Sequence, residues 1–184
     1  AIAKRYSLEK KKIIMGNGSD ELISIIAQAF LEPGDEAIYT EFGFLQFPQA
    51  ISVAGAKGVV AEDINFTANV DNITSKINER TKLIFLANAN NPTGTFIPKE
   101  DVIRLHKSIP SNIILVYDAA YSEFISNSDY IDGSNLVDKH DNVIMLRTFS
   151  KLHGLASLRL GWGYCSEYIL SNLMKVRGPF SVNT

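Results

Sequence analysis

The charged residues that are hardest to place are Lys151 and Arg159, which stand eight positions apart in a run of otherwise small or apolar residues. Burying a charge is unfavourable unless the charge finds a partner. Asp118 raises the same question, because it directly follows the very apolar run 113–117. A carboxylate there indicates either a buried group with a partner or a helix cap. Tyr121, three positions later, would lie on the same side of a helical turn as Asp118.

Two turns add groups suited to binding an anion or a ligand oxygen. Gly16-Asn17-Gly18 follows a short apolar run and precedes a helical pattern that begins at Ser19 and Asp20. Free backbone N–H groups and the positive end of a helix make such a turn an anion site, although Ser19 or Asp20 could simply cap the helix. Asn91 lies in Asn-Asn-Pro-Thr-Gly, which is either a plain tight turn or a rigid support for an amide that donates to a ligand oxygen.

Alternating elements must position these residues. Short apolar runs alternate with amphipathic stretches along the chain, which predicts β-strands joined by crossover helices in a largely parallel sheet. Seven strands are predicted, at residues 13–15, 37–40, 58–61, 83–87, 113–117, 143–147 and 160–164. Helices are predicted at residues 19–31, 44–54, 72–77, 99–108 and 167–176, and the chain opens in a further helical stretch at 1–12.

In such a sheet, ligands bind at the carboxyl ends of the strands. Asn91, Asp118 and Lys151 each follow a predicted strand, so we expect the chemistry at that edge. Residues 125–133 are polar and rich in turn formers, which indicates a surface excursion. His106 and His140 are expected on the surface.

Composition narrows the class of protein. A hydrophobic content of 46% with 21% charged residues is ordinary for a soluble globular domain. The net charge of −2 gives no basic field, so neither nucleic acid nor a membrane is expected as a partner. The single cysteine, Cys165, cannot form an internal disulfide, which favours a cytoplasmic location. A dinucleotide loop is disfavoured because Glu21 stands where the third glycine of Gly-x-Gly-x-x-Gly is required.

The run Ser150-Lys151, followed by Gly-Leu-Ala-Ser-Leu-Arg159-Leu-Gly161, resembles the lysine motif of fold-type-I pyridoxal phosphate (PLP) aminotransferases. Asn-Asn-Pro-Thr-Gly and Asp-x-x-Tyr occur upstream in that family's order. The residues of these motifs look closest to those of the histidinol-phosphate aminotransferases. The resemblance covers nearly the whole chain. It implies that residues 1–184 form the family's PLP-binding large domain, a three-layer α/β sandwich with a mostly parallel seven-stranded sheet, and that an N-terminal segment and a C-terminal small domain are missing.

The resemblance also implies roles at the cofactor's ring. Lys151 would form a Schiff base with the PLP aldehyde and then move the proton between the substrate Cα and the cofactor. That role needs a lowered lysine pKa, which a buried site beside Arg159 would provide. Asp118 would pair with the pyridine nitrogen, and Asn91 and Tyr121 would hydrogen-bond the phenolic oxygen.

Further residues would hold the rest of the cofactor. By resemblance, the phosphate would be bound by Ser150, by Arg159 and by the amides around Ser19 and Asp20. Phe42 follows a predicted strand at the position where the family stacks an aromatic ring on the pyridine, although it could equally be an ordinary core phenylalanine.

The implied reaction is transfer of an amino group between an amino acid, with histidinol phosphate a candidate, and a 2-oxo acid. The family is homodimeric, with its active site at the interface. Two alternatives stay open: a PLP-dependent threonine-phosphate decarboxylase, and a truncated PLP-binding domain without activity. Asn183 is expected to border the substrate pocket, whereas Arg177 does not match the family's substrate-binding arginine. Ala119 and Ser157 depart from common family residues without removing a catalytic group.

Overall fold

The described chain, residues 1–182 of a computed structural model, is built around one sheet of seven strands. The strands are β1 (Ile13–Gly16), β2 (Glu36–Thr40), β3 (Lys57–Ala61), β4 (Thr81–Ala87), β5 (Ile114–Asp118), β6 (Val143–Thr148) and β7 (Gly161–Cys165). Their order across the sheet is β1-β7-β6-β5-β4-β2-β3. All seven predicted strands are present, with ends that differ by one or two residues. Asn183, expected near the substrate pocket, lies outside the described residues.

The sheet is mostly parallel, as predicted. The five strands β3, β2, β4, β5 and β6 run parallel to one another, whereas β7 is antiparallel to both β6 and β1. The three central strands β4, β5 and β6 are buried along almost their whole length. Their near-continuous apolar runs are typical of parallel strands that are covered on both faces.

Strand register brings the chemical motifs to one edge of the sheet. Ala87 at the end of β4 pairs with Asp118 at the end of β5. Gly161, which begins the antiparallel β7, pairs with Thr148 on one side and Gly16 on the other. The turn after β1 and the loop between β6 and β7 therefore open at the same edge as the ends of β4 and β5.

Helices cover both faces of the sheet. They are α1 (Ile2–Tyr6), α2 (Gly18–Phe30), α3 (Gln46–Val53), α4 (Val70–Ser75), α5 (Lys99–Ser108), α6 (Ser134–Val137) and α7 (Glu167–Val176). Buried side chains of α2, α3 and α7 share one apolar core, and those of α4, α5 and α6 share the other. The architecture is the expected three-layer α/β sandwich. Within residues 1–182, no helix combines the length and apolar character that crossing a membrane requires.

The prediction of one helix over residues 1–12 is wrong. α1 ends at Tyr6 because Ser7 adopts a left-handed conformation with φ 56°, and a separate 3-10 turn follows at Lys10–Lys12. Neither piece contains a fully buried residue, so packing does little to extend it.

The expectation that His106 lies on the surface is also wrong. α5 turns His106 inward, where its exposed fraction is 8%. Its Nε2 lies 3.0 Å from Asn142 Oδ1, and its ring centroid lies 4.0 Å from that of His140. Because Asn142 Nδ2 donates to the Ile113 carbonyl, Asn142 Oδ1 is left to accept from Nε2 of His106. His140 is half-buried.

A buried carboxylate joins the starts of β2 and β3 to the turn that precedes β4. Glu36, which begins β2, accepts hydrogen bonds from Asn78, from Lys57 and from two nitrogens of Arg80. The Asn78 amide and the Arg80 guanidinium lower the pKa of Glu36 from 4.5 to about 2. The ionised form is therefore favoured in the folded chain.

We predict that Glu36→Gln lowers the free energy of unfolding at pH 7 by roughly 1–3 kcal/mol, because hydrogen bonds to a charged group are lost. A carboxyl whose pKa is depressed on folding stabilises the protein above its unfolded value, and this stability disappears as the pH falls from about 4.5 to about 2. Urea unfolding at stepped pH should thus show the variant and the wild type converging in acid. Glu62→Gln, at an exposed ion pair, is the control; a constant difference from pH 7 to pH 3 would contradict the assignment.

Candidate active site

Most of the predicted site residues line a single cleft at the carboxyl ends of β4 and β5, here named the Asp118 cleft. Its lining side chains and backbone come from Ser19, Asp20, Phe44, Ala87, Ala89, Asn91, Asp118, Ala120, Tyr121 and Lys151. A wider, open groove at the amino ends of the strands, near Lys82 and His140, is lined by none of the motif residues. The motif residues therefore meet at the Asp118 cleft and not at this groove.

The amino end of α2 faces this cleft. Asn17 is the N-cap of α2, so Ser19 and Asp20 are its second and third residues and do not cap it. Gly18 has φ +83°, and a Cβ there would lie 2.8 Å from Arg159 Nη2. A Cβ on Gly161 would lie 2.4 Å from the Ser19 nitrogen. Glycine at both positions lets β7 and Arg159 approach the first turn of α2.

The loop after β4 is a tight turn and also brings an amide to the cleft. The Asn90 N–H donates to the Thr95 carbonyl over 2.8 Å, and its side-chain amide donates to the carbonyl of Phe42 and the hydroxyl of Thr93, each over 2.9 Å. These bonds fix the turn, and the next residue, Asn91, lines the cleft. The tight turn is therefore confirmed, and donation from Asn91 to a ligand oxygen stays a prediction.

Asp118 is the buried charge of the site, with an exposed fraction of 4%. Its Oδ1 accepts a hydrogen bond of 3.0 Å from the Ala120 amide. Burial raises the pKa of the Asp118 carboxyl to about 7, although that hydrogen bond and the charge of Lys151 both favour the ionised form; the negative charge of Asp20 raises the pKa further. Because Asp118 lines the cleft, a ligand that offers a cationic N–H there would give this carboxylate a stronger partner.

Lys151 lines the cleft but is not buried. Its Nζ lies 5.2 Å from the centroid of the Tyr121 ring, which brings two of the three predicted catalytic side chains together. Lys151 nevertheless begins a run of exposed residues, 151–158, which no other part of the described chain covers. The expectation of a buried lysine is therefore wrong for these residues, because the loop between β6 and β7 points away from both apolar cores.

Arg159 adjoins the cleft beside Ser150 and the first turn of α2. Its guanidinium donates to Asp20 Oδ2 over 3.1 Å, to the Ala156 carbonyl over 3.1 Å and to Ser150 Oγ over 3.5 Å. Arg159, Ser150 and the first amides of α2 thus surround one small region. A cation, a hydroxyl and the positive end of a helix are the groups that bind a phosphate.

The structure does not bring Phe42 to the cleft lining. The Phe42 ring packs against Phe66 with centroids 5.2 Å apart, and Phe44 is the aromatic residue that lines the cleft. Sequence reasoning overlooked Phe44, although Glu41-Phe42-Gly43-Phe44 offers two aromatic residues directly after β2. Stacking by Phe42 stays a prediction that this arrangement does not favour.

The sheet order, the covering helices and a lysine opposite an aspartate at the strand ends define the fold of fold-type-I aminotransferases. A histidinol-phosphate aminotransferase of Sinorhizobium meliloti, solved in complex with pyridoxal-5'-phosphate, superposes with a TM-score of 0.92 over 98% of this chain and 49% of its own, at 27% identity. An L-threonine-O-3-phosphate decarboxylase of Porphyromonas gingivalis shares the fold, with a TM-score of 0.83 over 100% of this chain and 53% of its own, at 20% identity.

The whole chain, residues 1–184, matches the family described as aminotransferase class I and II, and it belongs to that family. Among curated relatives, a protein of Paramagnetospirillum magneticum named histidinol-phosphate aminotransferase is 48% identical over 182 residues, which are 99% of this chain and 50% of the relative. The chain spans about half the length of the curated relatives it matches.

We predict that Asp118→Asn stabilises the cofactor-free protein at alkaline pH. The pKa of the Asp118 carboxyl is raised on folding from 3.8 to about 7. The wild-type protein therefore loses about 1.4 kcal/mol of folding free energy per pH unit as the pH rises between those values. From pH 5 to pH 8, the variant should gain roughly 2–3 kcal/mol relative to the wild type. Urea unfolding at the two pH values measures this, with Asp129→Asn at an exposed site as control. Parallel pH profiles for Asp118→Asn and wild type would rule out the raised pKa.

Proposed function

We propose that this chain is the PLP-binding domain of an aminotransferase that transfers an amino group between an amino acid and a 2-oxo acid. The observation that carries the proposal is the meeting of Lys151, Tyr121, Asn91 and Asp118 at one cleft. Beside this cleft lie Arg159, Ser150 and the first amides of α2, here named the Arg159 cluster. Family membership supports the reaction class. The name of the 48% identical relative supports histidinol phosphate as the amino donor. No feature of the cleft favours decarboxylation over amino transfer.

The Arg159 cluster fits the phosphate of PLP. Arg159 can donate two hydrogen bonds, Ser150 a third, and the first amides of α2 more. Each hydrogen bond to a charged group contributes roughly 1.5–3 kcal/mol, whereas a helix end contributes about 0.3–1 kcal/mol. The arginine and the hydroxyl therefore account for most of the binding, and the helix end adds direction.

The Asp118 end fits the pyridine ring. A protonated ring nitrogen would give the buried carboxylate the cationic N–H partner that its raised pKa indicates it needs. Asn91 and Tyr121 both line the cleft, and they would donate to the phenolic oxygen from the neighbouring turns. When bound, PLP supplies an electron sink that stabilises negative charge at the substrate carbon.

Lys151 would bind the cofactor's aldehyde through Nζ and, once released by substrate, carry a proton to and from the substrate Cα. A free amine is required for that transfer, so the nitrogen must be shielded from water. We propose that a second subunit covers the loop in a cytoplasmic homodimer. An apolar surface next to the cleft supports this proposal. It is formed by Leu152, Leu155 and Leu158, whose exposed fractions are 51%, 41% and 54%.

The covalent attachment is the first test. Added PLP should give the wild-type chain a visible absorption band, and borohydride reduction should fix a mass increment on Lys151 that peptide mass spectrometry locates. Lys151→Ala should show neither, while Lys107→Ala, which removes an exposed lysine of α5, should behave as wild type. An adduct spread over other lysines, or no band at all, would defeat the proposal.

The phosphate site can be tested separately. Arg159→Met should weaken the affinity for PLP roughly tenfold to a hundredfold, because charge-assisted hydrogen bonds are lost. Its affinity for pyridoxal, which has no phosphate, should be unchanged. Spectroscopic titration with both compounds measures the two affinities, and Arg104→Met on the far α5 surface serves as control. An equal loss for both compounds would show that Arg159 does not bind the phosphate.

A further inference from the structure

A second buried arginine lies outside the Asp118 cleft. Arg147 in β6 has an exposed fraction of 4%, and its Nη2 and Nη1 donate to Glu123 Oε1 over 2.6 Å and to Asp132 Oδ2 over 3.0 Å. Its guanidinium carbon lies 4.9 Å from the ring centroid of Tyr6 and 5.7 Å from that of Trp162. Each terminal nitrogen of this buried cation is held by a carboxylate, so moving the guanidinium would leave these charges unpaired.

Glu123 connects this fixed cation to both loops of the candidate active site. Tyr121 precedes the 3-10 turn Ser122–Phe124 that contains Glu123. The same Glu123 oxygen that accepts from Arg147 lies 3.5 Å from His153 Nε2, two residues after Lys151. The Glu123 carboxylate is therefore the point where strand β6, the Tyr121 turn and the Lys151 loop meet.

The two side chains that these loops carry need such an anchor. Lys151 is exposed and Tyr121 only half-buried, so core packing does not set their separation. The Lys151 Nζ nevertheless lies over the Tyr121 ring. We propose that Glu123 is a positioning residue that, held by Arg147, fixes the Tyr121 phenol relative to the Lys151 nitrogen; this inference rests on the proposed PLP function.

Asp132 offers a matched control on the same arginine. Its Oδ2 accepts from Arg147 Nη1, and its Oδ1 accepts from the N–H and the hydroxyl of Ser134 at the start of α6. Asp132 thus anchors the excursion before α6 rather than the Tyr121 turn. Loss of either carboxylate unbalances Arg147, but only loss of Glu123 releases the loops at the cleft.

The experiment compares Glu123→Gln, Asp132→Asn and Tyr121→Phe in the PLP-loaded chain, by urea unfolding and by pH titration of the visible band of Lys151-bound PLP. In the PLP-loaded chain, Tyr121 would donate to the phenolic oxygen and stabilise negative charge there, and that charge would favour a protonated Lys151 nitrogen. Losing the phenol's donation should thus raise the titration midpoint. Glu123→Gln should raise it by at least about half a pH unit, in the direction of Tyr121→Phe. Asp132→Asn should lose stability without moving the midpoint.

A double variant decides whether Glu123 acts through Tyr121. Adding Glu123→Gln to Tyr121→Phe should move the midpoint no further than Tyr121→Phe alone, since coupled residues are non-additive. Additive shifts, or an unmoved midpoint in Glu123→Gln with a normal band, would overturn the inference and leave the proposed function intact. A wild-type chain without any band would overturn both. If Glu123→Gln does not fold, Glu123→Asp, which keeps the charge but shortens its reach, is titrated in its place.

Discussion

The buried carboxylate of Asp118 is the constraint around which the site is arranged. An apolar strand in the middle of the sheet carries it inward, and neither core offers it water. Burial raises the pKa of this carboxyl to about 7, well above that of an exposed aspartate, although one backbone amide and the charge of Lys151 favour its ionised form. Carboxyl groups with so strongly raised a pKa are concentrated at functional sites, where a bound ligand can supply the missing partner. The turns that carry Asn91, Tyr121 and Lys151 all open toward the place where that ligand would lie.

Much of the fold follows from the apolar pattern of the sequence. Continuous apolar runs indicated β4, β5 and β6, and the helical pattern at residues 19–31 indicated α2 to within one residue at each end. Strand order and the reversed direction of β7 were beyond the pattern, because they depend on close approaches such as that of Gly161 to the first turn of α2. The end of α1 was also missed, since the left-handed conformation of Ser7 stops the helix and no fully buried residue of α1 helps to extend it.

The candidate site was predictable in its residue types more than in its surroundings. Position after a strand was enough to single out Asp118 and Asn91. It could not separate Phe42 from Phe44, since two residues so close in a turn reach the cleft according to backbone geometry alone. The exposure of Lys151 depends on whatever covers its loop. The partners of Arg147 lie 24 and 15 positions away in sequence, at separations that no local periodicity encodes.

Two arginines frame the loop between β6 and β7, and their different partners indicate different uses. The two terminal nitrogens of Arg147 each bind a carboxylate, so this arginine already has anionic partners within the described chain. Arg159 forms an ion pair with Asp20, and the two side chains are 40% and 48% exposed, respectively. Exposed pairs of this kind contribute only about 0–1 kcal/mol, so a phosphate that offers several charge-assisted hydrogen bonds can displace Asp20. One arginine therefore holds the loop in place, and the other remains available at its end.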